Sequence, residues 1–440
     1  MNILTNREWA IVIWTLILVI YPLITPKIRE TAKSCISCFF SKPLMKVWCA
    51  MIIYTITIVY ILFHWHIWDF TQTKSTIIWF FAVGFPYIFK IDAIKDRSTS
   101  FKELALENFK LAVIVEFVVG FYPFGILVEL VLVPLAILLT VATAASKSNE
   151  NYRALHKFSN SLTTLLGFVI MFHVIYMMVT NFDNFATKQT LLDFAIPLLL
   201  TLLFLPFVFL TAVYVAYEEA FMQINLLIKN PCLNWVTKIC SFLLFNLNIH
   251  RLRRWLIILH ISDLTSKGGI YNSFKKIFRI RKLEKTRGNI PIQDGWSPYV
   301  AKDFLINEGI KTRDYNPLYE EEWLSCSNMI SLDEGLPSNN IAYYVQGSDL
   351  AAKSLKLILN VNNRSESKNS HEKLLTLVKS LYEKATKISL PNDLENAVTD
   401  GIKWEKIYDN FKVVLSKEEW PSGNGYNINF AISNNKSSGV

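Results

Sequence analysis

Lys110 to Ser146 reads KLAVIVEFVVGFYPFGILVELVLVPLAILLTVATAAS, and almost every side chain in it is apolar. Two carboxylates, Glu116 and Glu129, lie inside this run. An ionised side chain at the centre of a bilayer costs about 2.5 to 3.5 kcal/mol, so it needs a water-filled or protein-lined position. The run therefore predicts a membrane-embedded segment that contains either a pore or a buried polar cluster.

The composition of the whole chain supports a membrane protein. Hydrophobic residues make up 52% of the 440 positions and charged residues 18%, whereas about 25% of an ordinary soluble chain is charged. The apolar residues are concentrated before about residue 260, and the remainder is polar. This asymmetry predicts two parts. Together with the apolar spans, the loop charges and the periodicity described below, it predicts an all-helical membrane bundle followed by a cytoplasmic α+β domain.

Five segments are long and apolar enough to suggest membrane spans, since a bilayer core of about 30 Å needs about twenty helical residues. Lysines and arginines crowd the first and third loops, which predicts that both loops are cytoplasmic. Arg153, His156 and Lys157 place the loop after the 110–146 run on the same side. The run then begins and ends on one side and must fold as a hairpin. The predicted spans are Trp9–Pro26, Val47–Trp68, Thr76–Phe89, Leu162–Thr180 and Leu191–Tyr217.

The turn of this hairpin is predicted at Tyr122-Pro123-Phe124-Gly125, because proline ends a helix and glycine accommodates a tight backbone. Glu116 and Glu129 would then lie at similar depth on facing limbs. In one interpretation, symmetric copies of these glutamates line a cation pathway. In the other, each glutamate is buried and satisfied by a Tyr, Ser, Thr or His of a neighbouring helix.

Two further prolines, Pro197 and Pro206, lie in the last predicted span. Together with Pro123 and Gly125 they are candidate hinges for a gate. Proline is also tolerated in membrane helices without such a role, so this alternative stays open.

A basic stretch follows the membrane segments and contains only two acidic residues, Asp263 and Glu284, between His250 and Arg287. It is typical of a collar that contacts lipid headgroups. Alternatively, it binds a polyanion such as a nucleotide or an oligonucleotide. The candidate anion-binding residues are Arg251, Arg253, Arg254, Lys275, Lys276, Arg279, Arg281 and Lys282.

The predicted domains are a transmembrane part (1–217, with the hairpin at 110–145), juxtamembrane interfacial helices with the basic collar (218–288), and a cytoplasmic domain (289–440). Sequence periodicity in the last part predicts strands and helices. We find no P-loop, dinucleotide fingerprint, zinc-protease motif or nucleophile elbow, so we expect no enzymatic activity, no metal and no cofactor. The predicted strands are Ile341–Gln346, Leu355–Val361, Phe411–Leu415 and Tyr426–Ile432, and the predicted helices are Pro298–Ile306, Glu372–Lys387 and Leu394–Val398.

The stretch EFVVGFYPF at 116–124, with Val128-Glu129-Leu130 and Pro134 after it, resembles the membrane-embedded channel effectors of bacterial anti-phage defence. It is most similar to the membrane effector of Hailong-type systems. This resemblance implies a homo-oligomeric ion channel in the bacterial inner membrane, controlled by a nucleotide or a DNA oligomer that a partner nucleotidyltransferase makes. A change in that signal during infection would open the channel and depolarise the cell.

Two other functions fit the same composition. A secondary transporter would show paired internal repeats, and the two halves of the membrane region show no convincing internal symmetry. A membrane receptor or scaffold that conducts nothing would use Glu116 and Glu129 only as buried polar partners.

Overall fold

A computed structural model gives the architecture of the chain. It describes residues 5–86, 123–146, 152–180, 188–264, 266–286, 290–319, 322–333, 337–421 and 425–435. The chain divides into two compact units, Met1–Glu218 and Glu219–Val440. The second unit contains the predicted juxtamembrane part (218–288), except for Glu218, and the predicted cytoplasmic domain (289–440).

The first unit is built of helices, and its described residues contain no strand. Helix α4 continues into one π-helical turn at Phe80–Gly84, and a 3₁₀ turn at Phe70–Gln72 precedes it. The helices are α1 (Asn6–Ile24), α2 (Pro26–Phe39), α3 (Lys42–His64), α4 (Thr73–Trp79), α5 (Ile126–Ser146), α6 (Arg153–Thr180) and α7 (Lys188–Leu227), whose last residues belong to the second unit.

Within the described residues, four helical segments are long and apolar enough to cross a membrane. They are Leu44–His64, Ile126–Ser146, Ala154–Thr180 and Ala195–Leu227, with lengths of 21, 21, 27 and 33 residues. Three of them coincide with the predicted second, fourth and fifth spans. The remaining one, α5, is the second limb of the predicted hairpin.

The other predicted membrane segments are covered less completely. The predicted first span, Trp9–Pro26, falls mainly on α1. Thr5 caps this helix, because its Oγ1 accepts from the N–H of Glu8 at 3.4 Å, and the N–H of Thr5 donates in return to Glu8 Oε2 at 2.6 Å. The predicted third span begins in α4 and continues past Pro86, where the described residues end. The first limb of the hairpin, which includes Glu116, lies outside the described residues.

Side chains of neighbouring helices donate hydrogen bonds to the proline-containing helices within four residues of a proline. Pro134 has no N–H to donate to Leu130 O, and the indole of Trp14 donates to that carbonyl instead at 2.9 Å. Two aromatic side chains bind α7 in the same region as its prolines. Tyr54 Oη donates to Leu203 O at 2.8 Å, three residues before Pro206, and Trp79 Nε1 donates to Thr201 Oγ1 at 2.8 Å, four residues after Pro197.

The second unit begins with three short helices after α7: α8 (Pro231–Phe245), α9 (Ile249–His260) and α10 (Lys267–Thr286). The ring of Trp255 on α9 stacks on Phe274 of α10 at a centroid distance of 4.6 Å. Trp255 Nε1 also donates to Ser273 Oγ at 2.9 Å, so the buried indole satisfies its only donor. These contacts pack α10 against α9 and leave the opposite face of α10 to solvent.

An antiparallel sheet forms the rest of the second unit. In the described residues its strand order is β1-β2-β4-β5-β8-β7-β6, and β3 pairs only with β4. The strands are β1 (Asn316–Tyr319), β2 (Glu322–Cys326), β3 (Ile330–Ser331), β4 (Asn340–Gly347), β5 (Ala352–Val361), β6 (Trp404–Ile407), β7 (Phe411–Glu419) and β8 (Tyr426–Asn434).

Three helices accompany the sheet: α11 (Pro298–Ala301), α12 (Ser367–Thr386) and α13 (Asn392–Asp400). Leu374, Val378 and Leu381 of α12 are fully buried, at the spacing of one helix face. This face covers the central strands, so the coarse prediction of a helical part followed by an α+β domain is confirmed.

One predicted helix is shorter than expected. The segment Pro298–Ile306 was predicted as one helix, but α11 ends at Ala301 and a separate 3₁₀ turn follows at Ile306–Glu308. Gly309 ends that turn with a φ of 80°, a left-handed conformation that glycine adopts without steric cost.

Candidate functional site

The exposed face of α10 borders a cavity of about 360 Å³ in the second unit. Lys275 and Lys276 each lie about one helical turn before Arg279, so both lysines are surface neighbours of that arginine. The lining consists of Asn272, Lys275, Lys276, Arg279, Ile280 and Leu283 from α10, Trp323 from β2 and Asp349 from the β4–β5 turn.

The indole of Trp323 forms an apolar wall of this cavity and is only 3% exposed. On one side it stacks on Tyr315 with a centroid distance of 5.6 Å. Lys276 Nζ lies over the ring, 5.2 Å from its centroid, which is within the range of a cation–π interaction. The ring therefore holds one cation at the cavity wall.

Arg279 contacts the single carboxylate of the lining. Its Nη2 atom lies 3.6 Å from Asp349 Oδ2, and the two side chains are 59% and 39% exposed. Three cations thus face one carboxylate in this space. The cavity is chemically suited to an anion, because convergent cations raise the local concentration of negative ligands.

A second cavity of about 230 Å³ lies between α9 and α10. Of the predicted anion-binding residues it contains Arg251, Arg254 and Arg281, together with Glu284. Here the arginine at position 254 is 5% exposed and already occupied by its own chain. It donates to Glu284 Oε1 at 2.6 Å, to Asn316 Oδ1 at 2.7 Å and to Tyr315 O at 2.8 Å.

This network assigns Arg254 a structural part in the fold, since its guanidinium connects α9, α10 and the start of β1. The neighbouring His250 Nε2 lies 2.9 Å from Asp314 Oδ2. In this second cavity His250, Arg254 and Glu284 are therefore paired within the chain. The first cavity is the larger of the two and has the indole of Trp323 in its wall, so it is the better site for an external anion.

Charged residues of both cavities act on Tyr299. Burial raises its pKa from 10.0 to about 12, Arg254 and Arg279 act to lower this pKa, and Glu284 and Asp349 act to raise it. In the described part of the chain, the hydroxyl of Tyr299 has no hydrogen-bond partner. A buried hydroxyl without a partner lowers the stability of the folded state, so removal of this hydroxyl should not destabilise the domain.

The predicted anion-binding residues are therefore divided among several environments. Lys275, Lys276 and Arg279 meet in the first cavity, whereas Arg251, Arg254 and Arg281 line the second. Lys282 is exposed on α10 and lines neither cavity. Arg253 lies 3.5 Å from Glu219 Oε2.

In the first unit, Glu129 is buried with a relative exposure of 1% and accepts three hydrogen bonds. Arg7 donates from Nε to Oε2 at 3.0 Å and from Nη2 to Oε1 at 2.9 Å. The backbone N–H of Phe124 donates to Oε1 at 2.8 Å. The partner that satisfies this carboxylate is thus an arginine of α1, rather than a Tyr, Ser, Thr or His.

The residues around Glu129 fix the start of α5, which follows the non-helical segment 123–125 that contains Pro123 and Gly125. Asn6 Nδ2 donates to Phe124 O at 3.0 Å, and the ring of Phe124 stacks on His173 of α6 at a centroid distance of 3.9 Å. Within the described residues, His173 Nε2 has no hydrogen-bond partner. These contacts join α1, α5 and α6.

The position of Glu129 in α5 also defines its depth. It lies in the first turn of a helix of 21 residues, which is about 31 Å long at 1.5 Å per residue. This length matches one bilayer core. If α5 crosses a membrane, Glu129 therefore lies near its boundary and not at its centre.

Comparisons with known proteins identify no relative of this chain: no family model, curated protein or solved structure matches.

Proposed function

We propose that this chain is a ligand-gated ion channel of the bacterial inner membrane, in which an anionic ligand bound by the second unit controls conduction by the helical unit. Four segments long and apolar enough to cross a membrane support the membrane part of this proposal. The cavity beside α10, where Lys275, Lys276 and Arg279 converge, is the single observation that carries the ligand part.

The resemblance to anti-phage effectors supplies the biological setting of the proposal. In that setting the ligand is a nucleotide or a DNA oligomer made by a nucleotidyltransferase, the chain forms a homo-oligomer, and its second unit faces the cytoplasm. Helix α7 is a suitable connection between ligand binding and conduction, because one continuous helix contributes residues to both units.

An ion-flux assay tests this proposal. The purified chain is reconstituted into liposomes loaded with a potassium-sensitive dye, and ATP or a short single-stranded DNA oligomer is added. We expect a flux that changes on addition of the ligand. Neutralising the cavity with the triple variant Lys275→Gln, Lys276→Gln and Arg279→Gln should abolish this change, whereas Lys412→Gln, on the sheet, should retain it.

A membrane receptor that conducts nothing is the second candidate function. The pairing of Glu129 with Arg7 favours it, because a carboxylate that accepts two bonds from a guanidinium is neutralised within its own chain. The flux assay separates the two functions. A receptor binds the anion without any flux in either condition.

A further inference from the structure

We infer that Asp349 holds, beside Arg279, the place of a phosphate group of the ligand, and that Arg279 exchanges Asp349 for this phosphate on binding. The inference rests on the proposed function, since it specifies the ligand chemistry of the same cavity. It defines the ligand as an anion with an accessible phosphate group.

The contact between Arg279 and Asp349 is weak enough to be exchanged. Its N–O distance of 3.6 Å is longer than the 2.7–2.9 Å that is usual for charge-assisted hydrogen bonds. Both side chains are substantially exposed, and exposed ion pairs stabilise a protein little. A terminal phosphate carries more negative charge than a carboxylate and presents three acceptor oxygens, so it competes well for the same guanidinium.

The backbone that carries Asp349 is held in place by its neighbours. Tyr315 Oη donates to Ser348 O at 2.8 Å, and Ser348 N donates to Ala351 O at 2.9 Å. At Gly347 an added Cβ would lie 2.2 Å from Ala351 O, so only glycine allows this close approach of the chain. Asp349 is thus presented to Arg279 by a tight turn, while the arginine side chain supplies the freedom to exchange partners.

The remaining cations of the cavity are positioned to bind the same phosphate. Lys276 is held over the ring of Trp323. In the described residues, neither Lys275 nor Lys276 has a carboxylate at ion-pairing distance, so both charges are available. When Arg279 releases Asp349, three cations can act on one anionic group.

The size of the cavity limits how much of the ligand it can hold. A volume of about 360 Å³ lies at the lower end of the range of small-molecule sites, about 300 to 1,000 Å³. One nucleotide or one diphosphate group fits this space. A longer polyanion could place only its phosphorylated end there.

The test is calorimetric titration of the full-length chain, in nanodiscs of phosphatidylcholine, with inorganic pyrophosphate as the probe. Asp349→Asn should tighten binding by about three- to tenfold, since it removes the competing charge. Arg279→Gln should weaken binding by about tenfold or more.

Matched controls come from an exposed ion pair elsewhere in the same unit, Lys412 with Glu405 at 2.6 Å. Glu405→Gln and Lys412→Gln make the same changes of net charge as the two test variants and should alter binding by less than about twofold. Equal tightening by Asp349→Asn and Glu405→Gln would contradict the inference, and so would weaker binding by Asp349→Asn.

A second series in nanodiscs that contain phosphatidylglycerol distinguishes a lipid headgroup from a soluble phosphate. Unchanged pyrophosphate affinity assigns the site to a soluble ligand. If phosphatidylglycerol competes with pyrophosphate, and this competition disappears in Arg279→Gln, the site binds the lipid headgroup. No pyrophosphate binding in neutral discs, together with no effect of Arg279→Gln on lipid retention, overturns the inference.

Failure of this inference is separable from failure of the proposed function. Pyrophosphate binding that depends on Arg279 and Asp349, without ligand-dependent flux, leaves the site intact and removes the channel. Ligand-dependent flux that is insensitive to both substitutions leaves the channel intact and removes the exchange.

Discussion

Arg7 and Glu129 are 122 positions apart in the chain and form a two-point ion pair, with Nε to Oε2 at 3.0 Å and Nη2 to Oε1 at 2.9 Å. Glu129 is 1% exposed and Arg7 is 15% exposed. The pair joins α1 to the first turn of α5. A buried carboxylate of this kind depends strongly on its partner, because it cannot regain hydration when the partner is lost.

Replacing Arg7 by Met should therefore destabilise the chain by about 3 kcal/mol. Glu129→Gln should cost less, because a neutral amide can still accept from the N–H of Phe124, and the Arg7 side chain, at 15% exposure, keeps more access to water than the carboxylate has. Thermal unfolding of the detergent-solubilised chain measures both effects, and the double variant gives the coupling energy.

An exposed ion pair of α1 provides the control for this prediction. Lys74 lies 2.9 Å from Glu8 and is 40% exposed, so Lys74→Met should cost at most about 1 kcal/mol. Equal losses for Arg7→Met and Lys74→Met would contradict the structural importance of Glu129.

The first turn of α10 contains a second testable position. A Cβ added at Gly269 would lie 1.8 Å from Asp263 O, whereas one at Gly268 would meet only Ser266 Oγ at 3.8 Å. Gly269→Ala should therefore destabilise the chain by about 1–3 kcal/mol through overpacking. Gly268→Ala should be neutral or stabilising by up to about 1 kcal/mol.

Gly269→Ala should also weaken anion binding, and Gly268→Ala should not, because the close approach of Gly269 to Asp263 positions α10 beside the first cavity. Pyrophosphate titration of the two alanine variants checks this expectation. If Gly269→Ala retained full stability and full affinity, the close approach of α10 to Asp263 would be wrong.

The buried tyrosines of the second unit predict the response to alkaline pH. Burial raises the pKa of Tyr299 from 10.0 to about 12. The unfolded chain ionises this tyrosine near pH 10, whereas the folded chain keeps it neutral up to about pH 12. The free energy of unfolding therefore keeps its full value below about pH 10 and decreases as the pH rises towards 12. Stability should therefore fall above about pH 10, and Tyr299→Phe should reduce this fall.

At neutral pH the same substitution should be neutral or slightly stabilising, since the Tyr299 hydroxyl has no hydrogen-bond partner in the described residues. Tyr315→Phe is the matched comparison. It removes the bond to Ser348 O and should cost about 1 kcal/mol. Urea unfolding at about pH 8 and about pH 11 separates the two effects.

The central strands of the sheet could be predicted because their alternation reflects burial on one face. Segments 341–346 and 355–361 fall within β4 and β5, and 411–415 and 426–432 within β7 and β8. The other strands were not predicted. They are two to five residues long, and pairing with longer neighbours holds them in the sheet more than any local pattern does.

The candidate site could be predicted only in part. Local sequence indicates the basic character of α10, since Lys275, Lys276 and Arg279 are neighbours on one helix. Trp323 and Asp349 contribute only through the fold of the sheet. It places them beside that helix, although Trp323 follows Arg279 by 44 positions and Asp349 lies further on. No local signal marks such a contact.

The partner of Glu129 was missed for the same physical reason. Arg7 stands in the polar segment that precedes the first apolar run, and its charge there suggests only a membrane boundary. Its pairing becomes visible when the packing of α1 on α5 is known. A carboxylate in an apolar run is thus a sign of a partner, which sequence alone does not identify.

Single-channel recording in planar lipid bilayers tests the central claim, ligand-controlled conduction, most directly. We predict discrete current steps from the purified wild-type chain, with an open probability that changes when ATP or a short DNA oligomer is added. In the Lys276→Gln/Arg279→Gln variant the steps should persist and the response to ligand should disappear. Absence of current from the wild-type chain, with and without these ligands, would contradict the account.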